Sequence, residues 1–337
     1  MTDVDSPWAV ETRQLTKVYG DRVLALSGVD LRVRPGVVYG LVGPNGAGKT
    51  TLFRILMGLQ QPTAGEALVF GERMDANAAD LRGRIGFLAT NPHFPKHETA
   101  IRYLRFVGEV SGLNRDEREF RVAALLRDFD LMSAAGQRIG TFSTGMTTRL
   151  GIAAAFINEP DLLIWDEPTS GLDPVGRRQV IDLIRSMDAR RTLIVSTHVL
   201  GDVDRVCHDI GVLYRGQLIY SGAISDMKRM THARTVELEV DGQVEKLVSR
   251  LMTLERPLKP DYDEPFLRIT LSEDLPLATT LALVLSLASE EGISVLSINM
   301  LGDQLEEAFL QRLEEDRRHG LQTHWRAGAF RKGGDVS

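Results

Sequence analysis

The stretch Gly43-Pro44-Asn45-Gly46-Ala47-Gly48-Lys49-Thr50-Thr51 constrains this chain more than any other. It matches GxxxxGK[ST], a glycine-rich loop whose backbone N–H groups turn inward around polyphosphate. Val37 to Val42, just before it, reads as a short buried strand, and Thr51 to Met57, just after it, reads as a helix. The motif needs that order, because the first helical turn adds unsatisfied donors and the positive end of the helix dipole. Lys49 is then placed to reach the β- and γ-phosphates, and the Thr50 hydroxyl to hold Mg²⁺.

The chain of 337 residues suggests about two domains. Its 43% hydrophobic and 26% charged residues are those of an ordinary globular protein, and the net charge of −6 argues against a dedicated nucleic-acid binder. Cys207 is the single cysteine, which excludes an internal disulfide framework and any multi-cysteine metal site. Met1 to Trp8 is acidic and polar, unlike a signal peptide, and the longest apolar stretch, Leu275 to Ala288, is too short to cross a bilayer. The expectation is a cytoplasmic protein; if a membrane is involved, another polypeptide crosses it.

Alternating apolar strands and helices predict an α/β fold with a mainly parallel, helix-covered sheet. Val10 to Val33 reads as an antiparallel edge of strands turning at Gly20-Asp21, with a return strand at Glu66 to Phe70 and a core strand at Ile85 to Leu88. From Asn91 the period becomes helical over Thr99–Gly112, Asp116–Phe129 and Thr144–Asn158, an inserted helical subdomain of about 91–159. Strand Leu162–Trp165, helix Pro174–Arg190, strand Thr192–Ser196, helix Leu200–Cys207 and a hairpin over Ile210–Ser221 complete a nucleotide-binding unit spanning 8–228. A small α+β module follows at 229–313, with strands at Thr235–Val240, Phe266–Leu271 and Val295–Asn299, helices at Gln243–Leu254 and Leu275–Gly292, and a last helix over Asp303–Arg312. The basic, glycine-containing tail 314–337 reads as disordered rather than as a lipid-surface patch.

Leu162-Leu163-Ile164-Trp165-Asp166-Glu167 is an apolar strand ending in two carboxylates. Beside a P-loop, that places Asp166 to organise Mg²⁺ and Glu167 to polarise an attacking water near the γ-phosphate. The motifs then resemble one family, the ATP-binding subunits of ABC transporters, over Val10 to about Ser221. The resemblance makes Gly43–Thr51 the Walker A loop and Leu162–Asp166 the Walker B strand, followed by the catalytic Glu167. Phe142-Ser143-Thr144-Gly145-Met146 stands for the signature motif, Ser170-Gly171-Leu172-Asp173 for the D-loop and His198 for the switch histidine. Tyr19 matches the aromatic residue that stacks on adenine.

The resemblance implies a P-loop NTPase that sandwiches two MgATP in a head-to-tail homodimer. Ser143 and Gly145 of one copy face the P-loop of the other, and a separate transmembrane permease is driven from the inner face of the cell membrane. No nucleic-acid partner is expected. Thr144 replaces the first signature glycine, and Thr90 or Asn91 stands where the family has a glutamine that touches Mg²⁺, which makes Thr90 a doubtful metal ligand. Leu305-Glu306-Glu307-Ala308-Phe309-Leu310 is similar to the segment that ends subunits serving ABC-2 type exporters. His93, His97, His208, His232, His319 and His324 match no motif. The competing readings are a soluble ABC-type ATPase acting on nucleic acid or ribosomes, and a weakly active regulatory subunit.

Overall fold

The computed structural model describes residues 7–20, 23–188, 190–229, 234–242, 244–254, 258–271, 277–301 and Phe309. The chain opens with β1 (Val10–Tyr19), β2 (Val23–Val29), β3 (Arg32–Val33) and β4 (Val38–Val42), which leads through the P-loop into α1 (Lys49–Leu56). Next come β5 (Ala64–Val69), β6 (Glu72–Arg73), α2 (Ala79–Gly83) and β7 (Ile85–Leu88). Helices α3 (Ala100–Val110), α4 (Arg115–Asp128) and α5 (Thr144–Phe156) follow. Then β8 (Leu162–Asp166), α6 (Pro174–Arg185), β9 (Thr192–Thr197), α7 (Leu200–Val206), β10 (Asp209–Tyr214), β11 (Gln217–Ala223) and α8 (Ile224–Arg229) end the first part.

The central sheet has the order β11-β10-β4-β9-β8-β7 and is parallel apart from the β10–β11 hairpin. β8, β9 and β10 are buried along their whole length, with apolar centres and polar residues only toward their ends, as strands covered on both faces must be. Parallel strands bring their carboxyl ends to one edge, and the register sets Val42 beside Thr197 and Asp166 beside Ser196. Ligands of open parallel sheets bind outside that edge. The antiparallel sheet, β2-β1-β5-β6 with β3 also on β1, shares a core with α1: Leu15, Leu26 and Val69 pack with Leu52, Phe53 and Leu41.

The helical insertion leaves the sheet after β7 and returns at its neighbour β8. Thr99 and Asn114 cap α3 and α4 by accepting from the N–H groups of Arg102 and Glu117. Leu104, Val122, Leu126 and Leu150 then close over Trp165 and Leu193 of the sheet.

A third sheet is built from β12 (Arg234–Asp241), β13 (Lys259–Asp263), β14 (Phe266–Leu271) and β15 (Ser294–Leu301), ordered β13-β14-β12-β15 and antiparallel. Helices α9 (Glu245–Met252) and α10 (Leu277–Glu290) pack on it around Val236, Leu238, Leu247, Leu267, Ile269 and Val284.

Several elements differ from what the sequence predicts, β6 and α2 among them. β13, Lys-Pro-Asp-Tyr-Asp, is not predicted from the sequence and forms an edge strand, the place in a sheet where a proline without N–H is tolerated. Helix α6 stops at Arg185 and not at Arg190. There the Ser186 hydroxyl donates back to the Leu183 carbonyl and the Asp188 carboxylate accepts from the Arg190 N–H, local bonds that compete with the helix. Helix α8 follows directly on β11, in a stretch the sequence reading left unassigned. Asp21, the helix expected at 303–312 apart from Phe309, and the tail 314–337 lie outside the described residues.

Candidate active site

The P-loop is shaped by what glycine permits. A Cβ on Gly43 would lie 2.1 Å from the Leu213 carbonyl oxygen. Gly48 sits at φ +111°, and a Cβ there would lie 2.5 Å from the Ala25 carbonyl oxygen. Pro44, Asn45, Gly46 and Ala47 form the turn between them, closed by an N–H bond from Ala47 to the Pro44 carbonyl at 3.1 Å. Lys49 is 6% exposed; its Nζ donates to the Gly43 carbonyl at 2.6 Å and lies 3.5 Å from Glu167 Oε1. Thr51 begins the outer side of α1, where the Tyr19 hydroxyl lies 3.4 Å from Thr51 Oγ1 and donates to Gln60 Oε1 at 2.5 Å. Tyr19 is thus held against the helix that the P-loop feeds.

At the end of β8, Asp166 is almost fully buried and both its carboxylate oxygens are engaged. Thr50 Oγ1 donates to Oδ2 at 2.7 Å, and Ser196 Oγ donates to Oδ1 at 2.6 Å. Glu167 follows in the left-handed region, φ +53°, which swings its side chain away from the strand's alternation. Its carboxylate, 11% exposed, sits between Lys49 and His198, whose Nδ1 is 2.8 Å from Oε2. A carboxylate under that much cover requires charged or hydrogen-bonding partners. Thr90 does reach this place, but its hydroxyl donates to the main-chain carbonyl of Asp166 at 3.1 Å, not to the carboxylate.

The residues expected to form the signature motif make a separate cluster. Ser143 caps α5, its Oγ accepting from the Met146 N–H at 3.2 Å, so Thr144, Gly145 and Met146 make the helix's first turn. Ser143 and Thr144 are exposed. Gly171 of the D-loop lies alongside: a Cβ on it would come within 3.8 Å of Thr144 Cγ2. Ser170 donates its N–H to the Glu167 carbonyl, Leu172 packs into the core shared with α5, and Asp173 caps α6 through the Gly176 N–H. Among the described residues, the hydrogen bonds of Ser143 to Met146 stay within α5 and do not reach the P-loop.

Two residues at the site escape sequence reasoning. Ser196 accepts the Glu167 N–H at 3.0 Å besides donating to Asp166. Asp202, 4% exposed on α7, accepts from Thr169 Oγ1 at 3.1 Å and from Arg177 Nε at 2.8 Å, tying the loop after Glu167 to α6 and α7. Nothing in the local sequence marks either one; strand register and helix packing create both roles.

A glycine loop feeding a helix, with two carboxylates and a histidine gathered at the carboxyl ends of neighbouring parallel strands, defines a P-loop nucleoside triphosphatase. The family model for ABC transporters matches residues 26–170. An uncharacterized ABC transporter ATP-binding protein of Nostoc is 32% identical over 94% of this chain and 92% of its own. The Nod factor export ATP-binding protein I of Cupriavidus metallidurans is 38% identical over 63% of this chain and 70% of its own. A solved ATP-binding subunit of an ABC transporter superposes with a TM-score of 0.60 at 30% identity, covering 66% of this chain and 92% of its own. The chain belongs to the ATP-binding subunits of ABC transporters, ATPases that power transport.

Proposed function

We propose that the chain hydrolyses MgATP as one half of a head-to-tail homodimer and drives a separate transmembrane permease, exporting its substrate from the inner face of the cell membrane. Export is supported by the likeness to the Nod factor export protein and by the Leu305–Leu310 segment. Among the described residues, no helix is long and apolar enough to cross a membrane, which leaves the crossing to a partner. Residues 8–228 are the ATPase domain and 229–313 an accessory domain in this reading.

The observation that carries the proposal is the Glu167 carboxylate held between Lys49 and His198 at the mouth of the P-loop. A water hydrogen-bonded to Glu167 gives up a proton to its carboxylate as the water oxygen bonds the γ-phosphorus; the bond from that phosphorus to the β–γ bridging oxygen breaks with its electron pair staying on ADP, and ADP and phosphate result. Lys49 and the loop amides of Gly43 to Thr51 bind and orient the phosphates, Tyr19 lies where adenine stacks, and His198 holds Glu167 and senses the γ-phosphate. Thr50 and Asp166 offer hard oxygen donors 2.7 Å apart and suit Mg²⁺, which when bound neutralises charge on the phosphate oxygens. Ser143, Thr144, Gly145 and Met146 complete the site of the second copy with an exposed helix N-terminus, and the D-loop beside them links the two sites.

The test is Glu167→Gln. It is expected to keep ATP binding, to trap the dimer on a sizing column with ATP, and to lose turnover; hydrolysis at the parental rate would remove Glu167 from the proposed role. Membranes carrying the permease are expected to stimulate the parental ATPase, and their failure to do so would count against the transport partner.

A further inference from the structure

We propose that Ser196 is a positioning residue for ATP hydrolysis, setting both acidic residues of the site through one hydroxyl group. The inference rests on the active-site reading above. Ser196 lies on β9 directly across from Asp166 on β8 and is fully buried. Its single hydroxyl proton goes to Asp166 Oδ1 at 2.6 Å, which leaves Oδ2 turned to Thr50. Its oxygen accepts the Glu167 N–H at 3.0 Å, and that same N–H also reaches the Ser196 main-chain carbonyl at 3.2 Å.

These two bonds act on different atoms of the site. The first fixes the rotation of the Asp166 carboxylate, and with it the face offered to a metal ion. The second clasps the peptide leading into Glu167 and holds that residue at φ +53°, where L residues rarely stay unless surrounding contacts impose it. In that conformation the Glu167 carboxylate stands between Lys49 and His198. Removing the hydroxyl leaves Asp166 Oδ1 without this donor and Glu167 with only the longer N–H bond. Partners that orient a metal-binding or reacting group in this way are worth roughly ten- to a hundredfold in activity or metal affinity.

A merely structural serine would change stability and nothing else, so the test separates the two. Ser196→Ala is expected to lower kcat by about tenfold or more while ATP KM stays near parental, because the P-loop makes the phosphate contacts. Binding of Mn²⁺ to the ADP complex, read from the free-ion electron paramagnetic resonance signal, is expected to weaken with it. Ser196→Thr, which keeps the hydroxyl on a strand, is expected to restore both. If the alanine variant does not fold, Ser196→Cys keeps the shape with only a weak donor and should show the same kcat loss. Parental kcat and parental Mn²⁺ affinity in the folded Ala or Cys variant would overturn the assignment. So would equal losses in folded Ala and Thr variants. Glu167→Gln run alongside keeps the failures apart. If it turns over normally, the active-site reading is wrong; if it is inactive while Ser196→Ala is parental, only the Ser196 assignment falls.

Discussion

Residues 7–229 place Lys49, Asp166 and Asp202 under nearly complete cover, whereas the module from Arg234 to Leu301 buries, among the described residues, no charged side chain and only Thr280 of the polar ones. The two parts pack similar apolar side chains, with Leu41, Leu52 and Ile164 at one core and Leu238, Leu247 and Ile269 at the other. They differ in what interrupts that packing. A buried charge costs several kcal/mol unless partners meet it, and in the ATPase part Thr50, Ser196, Arg177 and Glu167 do so at the carboxyl ends of the parallel strands. Cost and chemistry coincide there, whereas in the module the ion pairs of Arg250 with Glu290 and Glu291 and of Arg268 with Glu237 keep one partner at the surface and the core is apolar.

The strongest way to break this contrast is to change a buried charged group and ask whether only chemistry responds. Glu167→Gln is expected to cut kcat by about 10²–10⁴-fold, measured by phosphate release. In the module the matching test is a cavity. Leu238→Ala, at a fully buried position on the central strand β12, is expected to cost about 2–5 kcal/mol of module stability in thermal unfolding, with ATPase activity kept.

Cys207 sharpens the comparison further because it reports one side only. Cys207 is partly buried, and its cover, with Asp202 adding to it, pushes the thiol above its usual range, so alkylation at pH 8 should run slower in the folded ATPase part than in unfolded chain. If the Leu238→Ala module melts while Cys207 stays protected, the two parts are separate cooperative units; coincident transitions would make them one. The smallest effect is expected from Asp188, which Arg190 holds at a pKa of about 2. A depressed carboxylate contributes above its unfolded pKa and loses that contribution as pH falls through the folded one. Asp188→Asn should therefore lower Tm slightly at pH 7, and the difference should fade on acidification toward pH 2, but solvent screening keeps it small.

The same contrast explains what the sequence revealed. The P-loop, the Asp166-Glu167 pair and His198 are legible because each sits at the boundary of an apolar run, where a polar residue must mean a strand end. Ser196 is not, since Ser-Thr before His198 offers two hydroxyls and only the pairing of Asp166 with Ser196 across two strands picks one. Asp202 is hidden for the same reason, its partners Thr169 and Arg177 lying on other elements. In the module, β13 hides because an edge strand has no need of an apolar pattern, and Lys259, Pro260 and Asp261 supply none. Helix α6 ends sooner than its sequence suggests because apolar spacing continues past Ser186 to Met187 while side-chain bonds to the backbone end the helix at Arg185.

The left-handed backbone at Glu167 has an evolutionary corollary. Glycine suits φ +53° better than any side-chain-bearing residue, by roughly 1 kcal/mol or more. That exchange alone would leave the buried Lys49 without its carboxylate partner, a larger cost than the strain it relieves. A lineage released from transport is therefore expected to lose Lys49 and Glu167 together, and the backbone turn that once presented the carboxylate would outlast the activity.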